Sequence, residues 1–239
     1  MKHLCNYMAL ILILIGGTSM SQAQNLPVLE KSRTAVVITD PQNDFLHPKG
    51  KLYGLVKDNM AQLKTIDHIE MLMKTAKQQG VVLAVDPLVY SASDSDWVNA
   101  GALQKKLLEM KALTSITSPE SAGEIDGADY YGPYKTYIDD QDTIKAAPHK
   151  MYGPESNDLV YQLRSRAVDT VILGGLVANL CVDSHMRSLM ENGFKVYVVK
   201  DAVAAPGEDA YQAALVNYGM IANGVVTTQE AVTMLKQGK

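Results

Sequence analysis

Six short runs of apolar and β-branched residues alternate with longer stretches of helical periodicity along the chain. The runs have the length and composition of buried strands. They lie at 34–39, 81–85, 143–147, 170–173, 195–199 and 225–228. Because each run is nearly continuous in its hydrophobicity, both of its faces are expected to be buried, as in a parallel sheet covered by helices.

The segments between these runs carry apolar residues at three- and four-residue steps. In the first segment these positions begin at Met60 and end at Ala76, and Gly80 follows as a stop signal, so one long amphipathic helix is predicted. Its methionines are interpreted as core packing. Further helices are predicted over 97–113, 155–166, 181–192 and 209–222, with a short last helix from Gln229.

The alternation of strands and helices predicts an α/β fold. Helices on both faces of a six-stranded parallel sheet give a three-layer α/β/α arrangement. In such sheets ligands bind beyond the carboxyl ends of the strands. Functional residues are therefore expected just after the strands.

Composition and charge narrow the function classes. The chain has 239 residues, of which 47% are hydrophobic and 20% charged, so it can bury the core of a single domain. Its formal net charge is −4. A broad phosphate-binding surface is not expected at this charge, so nucleic acid is excluded as a partner.

The first 23 residues have the layout of a secretory signal peptide. Lys2 supplies a positive charge, residues 8–15 are apolar, and Ser21-Gln22-Ala23 is a small-x-small cleavage site. The apolar run is too short to span a bilayer, and a buried strand or helix is the alternative interpretation. We expect a secreted or periplasmic protein with no stable membrane anchor after cleavage and one mature domain over residues 24–239.

Cleavage after Ala23 would remove Cys5 and leave Cys181 as the single cysteine. A protein with one cysteine forms no internal disulfide, so this thiol is either an inert buried side chain or a reactive one. Its place at the start of a predicted helix favours the reactive alternative, because a helix N-terminus stabilises the thiolate and lowers the pKa of the thiol.

Chemistry-bearing residues directly follow three of the predicted strands. Asp40 follows the first strand, His149 and Lys150 the third, and Cys181 comes after the fourth. Because the carboxyl ends of parallel strands meet at one edge, a carboxylate, an ammonium group and a thiol are expected to converge there. Asp40 would take the thiol proton and return it to a leaving amine, while Lys150 holds both charges in place. The pattern predicts covalent hydrolysis by a Cys–Asp–Lys triad.

Three motifs occur in a fixed order along the chain. They are Asp-x-Gln-Asn-Asp-Phe at 40–45, Lys150 ahead of a serine-containing stretch, and Gly-x(6)-Cys-Val at 174–182, followed by Gly-Phe-Lys-Val-Tyr-Val-Val-Lys-Asp-Ala at 193–202. This ordered set resembles the isochorismatase-like cysteine hydrolases, which include nicotinamidases and N-carbamoyl amide hydrolases. The resemblance extends from about residue 34 to the C-terminus. It implies a Rossmann-like strand order, hydrolysis of small amides and a homo-oligomer.

The same resemblance implies a role for each site residue. Asp40 is the catalytic base, Lys150 the positioning cation and Cys181 the nucleophile. A non-proline cis peptide is implied at Leu176–Val177, with an oxyanion hole made by the backbone N–H groups of Val177 and Cys181. Further substrate-binding residues that rest on the resemblance alone are Phe45, Trp97, Ser156 and Asn157.

The segment after the second strand departs from the nicotinamidase pattern. Nicotinamidases carry an Asp-x-His pair there to bind a metal, whereas residues 86–92 read Asp-Pro-Leu-Val-Tyr-Ser-Ala. The remaining carboxylates, Asp86, Asp94 and Asp96, form a poor ligand set for zinc. We therefore predict no catalytic metal and no other cofactor.

Three assignments have alternatives. His149, the neighbour of Lys150, competes for the role of the positioning cation. His185 lies four residues after Cys181 on the same helical face, and it either forms a Cys–His pair or packs inside the domain. The segment 114–142 is either a functional lid or a plain surface insertion. As a lid it would shape a pocket or meet a neighbouring subunit through Tyr130, Tyr131, Tyr134 and Tyr137.

Taken together, these features predict an exported cysteine hydrolase that cleaves a small carboxamide or related C–N bond through a thioester. The substrate is a small molecule. The presence of the cysteine favours amide hydrolysis over vinyl-ether hydrolysis of the isochorismate type, which is one alternative. The other alternative is an exported small-molecule-binding protein that has the same fold and no turnover.

Overall fold

A computed structural model describes residues 26–115, 125–151 and 153–239 of the chain. The predicted signal peptide at 1–23 lies outside these ranges. Among the described residues, no helix combines the length and the hydrophobicity that crossing a membrane requires.

Six parallel strands form one sheet in the order β3-β2-β1-β4-β5-β6. The strands are β1 Thr34–Thr39, β2 Val82–Asp86, β3 Ile144–Lys145, β4 Thr170–Leu176, β5 Lys195–Ala204 and β6 Gly224–Val226. The order runs outward from β1 through β2 and β3 on one side, and through β4, β5 and β6 on the other. The crevice between the carboxyl ends of β1 and β4 is therefore the topological switch point of the sheet. The predicted α/β class, with six parallel strands, is confirmed.

Helices cover both faces of this sheet. They are α1 Asn43–Leu46, α2 Tyr53–Leu63, α3 Thr65–Gln79, α4 Ala102–Glu109, α5 Lys135–Ile138, α6 Leu159–Ser165, α7 Asp183–Glu191, α8 Glu208–Ile221 and α9 Thr228–Gln237. Helices α2, α3 and α9 share one core layer, and α6, α7 and α8 share the other. Strand β1 is apolar on both faces because its side chains enter both core layers. Val36 and Ile38 enter the first layer, and Ala35 and Val37 enter the second.

Two predicted helices differ from the observed ones. The long helix between β1 and β2 is broken at Lys64, whose φ of 54° is left-handed, so it becomes α2 and α3. Lysine is a good helix former, so the sequence gives no signal for this break. The helix predicted over 97–113 is reduced to α4, with a separate 3-10 turn at Ala92–Asp96 before it.

The described part of the 114–142 segment is fixed to the domain. Tyr134 is buried, and its hydroxyl donates to the Ile66 carbonyl at 2.8 Å. The Tyr137 hydroxyl donates to Glu70 Oε1 at 3.1 Å, and the ring of Tyr131 meets that of Tyr134 edge to face at 5.2 Å. From residue 125 onward the tyrosines therefore attach the segment to α3 and its surroundings.

Close packing at the switch point requires a glycine at position 175. Gly175 lies opposite Thr39 and has a φ of 118°. A Cβ there would stand 2.2 Å from the Thr39 carbonyl oxygen. We expect Gly175→Ala to lower the free energy of unfolding by about 3 kcal/mol or more, because a backbone clash adds to the cost of a positive φ.

Gly80 offers the matched control for this prediction. It also has a positive φ, 66°, but a Cβ there would meet nothing within 4 Å. Gly80→Ala should therefore cost only the backbone term of about 1–2 kcal/mol. Urea denaturation of the two variants measures the difference, and equal losses would contradict the proposed clash.

Candidate active site

Asp40 stands at the switch point, directly after β1. Its backbone N–H donates to the Asp86 carbonyl at 2.9 Å, and its φ of 50° is left-handed, a conformation that non-glycine residues seldom adopt. The side chain is fully buried. Oδ1 accepts a hydrogen bond from His149 Nε2 at 2.9 Å, whereas Oδ2 makes no hydrogen bond with the described residues. One carboxylate oxygen is thus held, and the other is available to receive a proton.

Cys181 lies across the crevice from Asp40, in a π-helical turn at Ala178–Val182 that leads into α7. The peptide bond Leu176–Val177 just before this turn is cis. Asp40, His149 and Cys181 bring an oxygen, a ring nitrogen and the sulfur within 4.8 Å of one another. The fold therefore brings together two members of the predicted triad, the base and the nucleophile.

The thiol of Cys181 is protonated at rest. Its side chain is buried, and this burial, together with the negative charge of Asp40, raises its pKa well above the ordinary value. The backbone of Val177 opposes this rise in pKa, but its effect is outweighed. The expectation that helix-start placement gives a low thiol pKa is wrong, because desolvation dominates. A thiolate at this position would require transfer of the proton to a neighbouring base.

His149 is the cation that faces Asp40. It extends the pairing of β2 and β3, because its N–H donates to the Pro87 carbonyl at 2.9 Å and it forms a parallel bridge with Leu88. Its Nδ1 is hydrogen-bonded to the Lys150 carbonyl. Burial alone would lower the pKa of His149, but the charge and hydrogen bond of Asp40 raise it to about 9. The ring is therefore an imidazolium at neutral pH.

Lys150 points away from this pair. Its Nζ donates to Asp94 Oδ2 at 2.6 Å and to the Val89 carbonyl at 2.7 Å. It also lies 5.4 Å from the centre of the Tyr90 ring. The Lys150 hydrogen bond, with those from Ser91, lowers the pKa of Asp94 despite the opposing effect of burial. Of the two neighbours at the end of β3, the structure places the histidine, not the lysine, against Asp40.

A second buried carboxylate–imidazole pair supports the first. His185 Nε2 lies 2.7 Å from Asp86 Oδ2, and its Nδ1 lies 2.6 Å from the carbonyl oxygen of Cys181. The His185 ring meets the His149 ring edge to face at 4.8 Å between centroids. His185 thus packs inside the domain and holds the backbone of Cys181. The spacing of four residues from Cys181 singled out His185 in the sequence. Its partner Asp86 lies 99 residues away along the chain, so the sequence did not reveal the pair.

Two groups of side chains have the composition of metal sites. Asp40, His149 and Cys181 form one, and Asp86, His149 and His185 the other, each with its ligand atoms within 4.8 Å of one another. The premise that only carboxylates surround Asp86 is wrong, because the fold brings both histidines to it. In each group an imidazole nitrogen already pairs with a carboxylate oxygen. An ion would have to displace these hydrogen bonds, and the absence of a catalytic metal stays a prediction.

A cavity of about 440 Å³ opens onto Cys181. Phe45 and Val177 line it, and the rest of its wall is largely aliphatic. The other predicted substrate-binding residues lie elsewhere. Trp97 packs edge-on against Tyr90 at 6.3 Å. The Ser156 hydroxyl accepts from the Lys150 N–H at 3.0 Å, and the Asn157 amide donates to Asp86. The described tyrosines of the 114–142 segment are not among the residues that line the cavity.

The fold and the site define a three-layer α/β protein with a buried cysteine and a buried aspartate at the switch point of its sheet. A family model described as the isochorismatase domain matches residues 34–230. The chain therefore belongs to the isochorismatase family, as the motifs indicated, and it is a hydrolase of that family.

Individual relatives agree with this assignment. The chain is 25% identical to the ureidoacrylate amidohydrolase RutB of Caulobacter vibrioides over 88% of this chain and 94% of that protein. It is 35% identical to the isochorismatase family protein YecD of Escherichia coli O157:H7, over 30% of this chain and only 37% of that protein. The cysteine hydrolase from Pseudomonas syringae pv. phaseolicola 1448A shares the fold, with a TM-score of 0.69, 21% identity, and coverage of 88% and 97% of the two chains. The predicted class, a hydrolase of non-peptide C–N bonds, is confirmed.

Proposed function

We propose that the protein is an exported amidohydrolase that cleaves a small carboxamide, or a related C–N bond, through a thioester on Cys181. The observation that carries the proposal is the position of Asp40 between a protonated thiol and an imidazolium. Oδ1 is held by His149, and Oδ2 is left to accept the thiol proton. The amidohydrolase relatives support the reaction class.

The reaction begins with proton transfer from the Cys181 thiol to Asp40 Oδ2. The sulfur forms a bond to the amide carbon, and the carbonyl electrons move to oxygen, which the backbone N–H groups of Val177 and Cys181 are proposed to stabilise. Asp40 then gives its proton to the amide nitrogen as the C–N bond breaks and ammonia or an amine leaves. A water molecule, deprotonated by Asp40, attacks the thioester, and the carboxylic acid departs as the thiol is restored.

His149 keeps its proton throughout this cycle. In place of the predicted Lys150, we assign it the role of the cation that stabilises the Asp40 carboxylate. In each turnover Asp40 is protonated twice and returns twice to its negatively charged form. A fixed positive charge in a water-poor site stabilises this carboxylate more than a solvent-exposed positive charge would. The proposal therefore replaces the Cys–Asp–Lys triad by Cys181, Asp40 and His149.

Mass spectrometry of the acid-quenched enzyme tests the thioester directly. During turnover of an amide, the peptide that contains Cys181 is expected to gain the mass of the acyl group, and ammonia release is measured in parallel. Hydroxylamine should remove the added mass, since it cleaves thioesters. Turnover with no adduct on Cys181, even after millisecond quenching, would contradict the covalent route.

Export and assembly belong to the same proposal and rest on the sequence. The layout of residues 1–23 supports export, either to the periplasm or out of the cell. We propose that the protein acts on a small-molecule substrate and that it assembles as a homo-oligomer.

A further inference from the structure

We propose that the substrate is a carboxamide whose acyl group is an uncharged aliphatic chain of about six to nine carbons. This inference deepens the proposed function and rests on it. It comes from the cavity that Cys181 helps to line, whose wall consists mainly of leucine and methionine side chains. Prominent among them are Leu52, Leu88, Leu107, Leu113, Met151 and Leu180.

The chemistry of this wall selects against polar acyl groups. Among the described residues that line the cavity, the only charged side chains are Lys51 and Lys106, and both are exposed. The Lys51 ammonium already donates to the Lys111 carbonyl at 2.6 Å. A hydroxyl or carboxylate on the acyl group would lose its water without gaining a buried partner, which is costly. An alkyl chain would instead gain from leaving water.

The size of the cavity fits such a chain. Its volume of about 440 Å³ lies within the range, ~300–1,000 Å³, of pockets that enclose most of a small organic ligand. A two-carbon acyl group would leave most of the wall in contact with water. A chain of about eight carbons would cover far more of it.

The wall is held in place by a buried carboxylate. Asp44 Oδ1 accepts from the Lys51 N–H at 3.0 Å, and Oδ2 accepts from the Leu113 N–H at 2.5 Å. These bonds tie together two loops that both contribute residues to the cavity wall. The pocket is therefore preformed, and binding an alkyl chain requires little ordering of the protein.

A homologous series of primary amides, from acetamide to octanamide, tests the inference in the whole enzyme. Each buried methylene contributes up to ~0.8 kcal/mol, so kcat/KM should rise by as much as about fourfold per carbon. We expect a total rise of at least about 100-fold, and a lower value for the monoamide of octanedioic acid than for octanamide. A flat series, or a faster reaction of the carboxylated amide, overturns the inference.

Substitution of a residue that lines the cavity makes the test specific to the pocket. Leu107→Ala should lower the ratio of kcat/KM for octanamide to that for acetamide by about fivefold or more. Leu163, a buried leucine in the opposite core layer, gives the control, since Leu163→Ala should leave this ratio unchanged. The ratio does not depend on the fraction of folded enzyme, and an equal change in both variants would count against the pocket.

Binding separates the failure of the inference from the failure of the proposed function. Calorimetry with octanamide and the Cys181→Ala variant measures occupancy without turnover. Tight octanamide binding with no amide hydrolysed by the wild type refutes the amidohydrolase and supports the pocket assignment. Hydrolysis without chain-length dependence refutes the pocket assignment alone. If the protein neither binds octanamide nor hydrolyses an amide, both the pocket assignment and the amidohydrolase are refuted.

Discussion

Cys181→Ala is expected to lower kcat/KM for amide hydrolysis by at least about 10³-fold while leaving the fold intact. The sulfur is the only group of this side chain that can bond to the amide carbon, so no other atom replaces it. The side chain is small and sits in a turn whose backbone is held independently, by His185 at its carbonyl. Ammonia release measures the activity, and thermal unfolding measures the stability.

Cys181→Ser separates chemistry from packing in this experiment. The serine side chain has nearly the volume of the cysteine but a poorer nucleophile, so both variants should be folded and nearly inactive. The outcome also distinguishes the three functional classes. Ligand binding with no product in any form of the protein indicates a binding protein. Product formation that survives in the alanine variant indicates a cysteine-independent reaction such as vinyl-ether hydrolysis.

His149→Lys is expected to keep a measurable activity and to shift its pH dependence. The pKa of His149 is raised to about 9, so its positive charge is present below that pH and lost above it. In the wild type, kcat/KM should therefore fall as the pH rises through about 9. A lysine at this position has a higher ordinary pKa than histidine, so it should move the fall to higher pH. His149→Gln, which has no charge, should lose about 100-fold at neutral pH.

Lys150→Met is the matched control for the His149 variants. Because the Lys150 ammonium is bonded to Asp94 and the Val89 carbonyl, its removal should change kcat/KM by less than about fivefold and leave the pH profile in place. Steady-state kinetics between pH 6 and pH 11 measures all three variants. If Lys150→Met is inactive while His149→Gln keeps wild-type activity, the lysine is the cation and our assignment is wrong.

The same pKa predicts how folding stability depends on pH. The folded protein binds the His149 proton more tightly than the unfolded chain, whose histidine titrates near 6.5. The stabilisation is therefore complete below that pH and is lost as the pH rises through about 9. The alkaline loss of activity and this loss of stability share one cause.

Much of the fold could be predicted because burial on both faces leaves a direct trace in the sequence. The run at 34–39 became β1 without any change of bounds, since every residue in it is buried. Asp40 and Cys181 could be placed together because both follow parallel strands, whose carboxyl ends meet at one edge of the sheet. That step needs only the direction of the strands.

The choice between His149 and Lys150 could not be made in this way. Strand β3 has only two residues, and the pairing resumes at a single bridge between Leu88 and His149. Successive side chains point to opposite faces, so the register of that bridge decides which neighbour enters the core. A short, irregular strand carries no hydrophobic alternation from which the register could be read. The pair of Asp86 and His185 was missed because it joins distant parts of the chain.

The burial and protonation of the Cys181 thiol also determine how readily it reacts with oxidants. Peroxides attack thiolates, and the neutral thiol of a residue that is only 3% exposed is a poor target. Within the described ranges there is no second cysteine to trap it in a disulfide. In the proposed mechanism the sulfur becomes anionic only in the step that uses it. The nucleophile would then persist in the oxidising compartment that the proposed export implies, without a reductant to restore it.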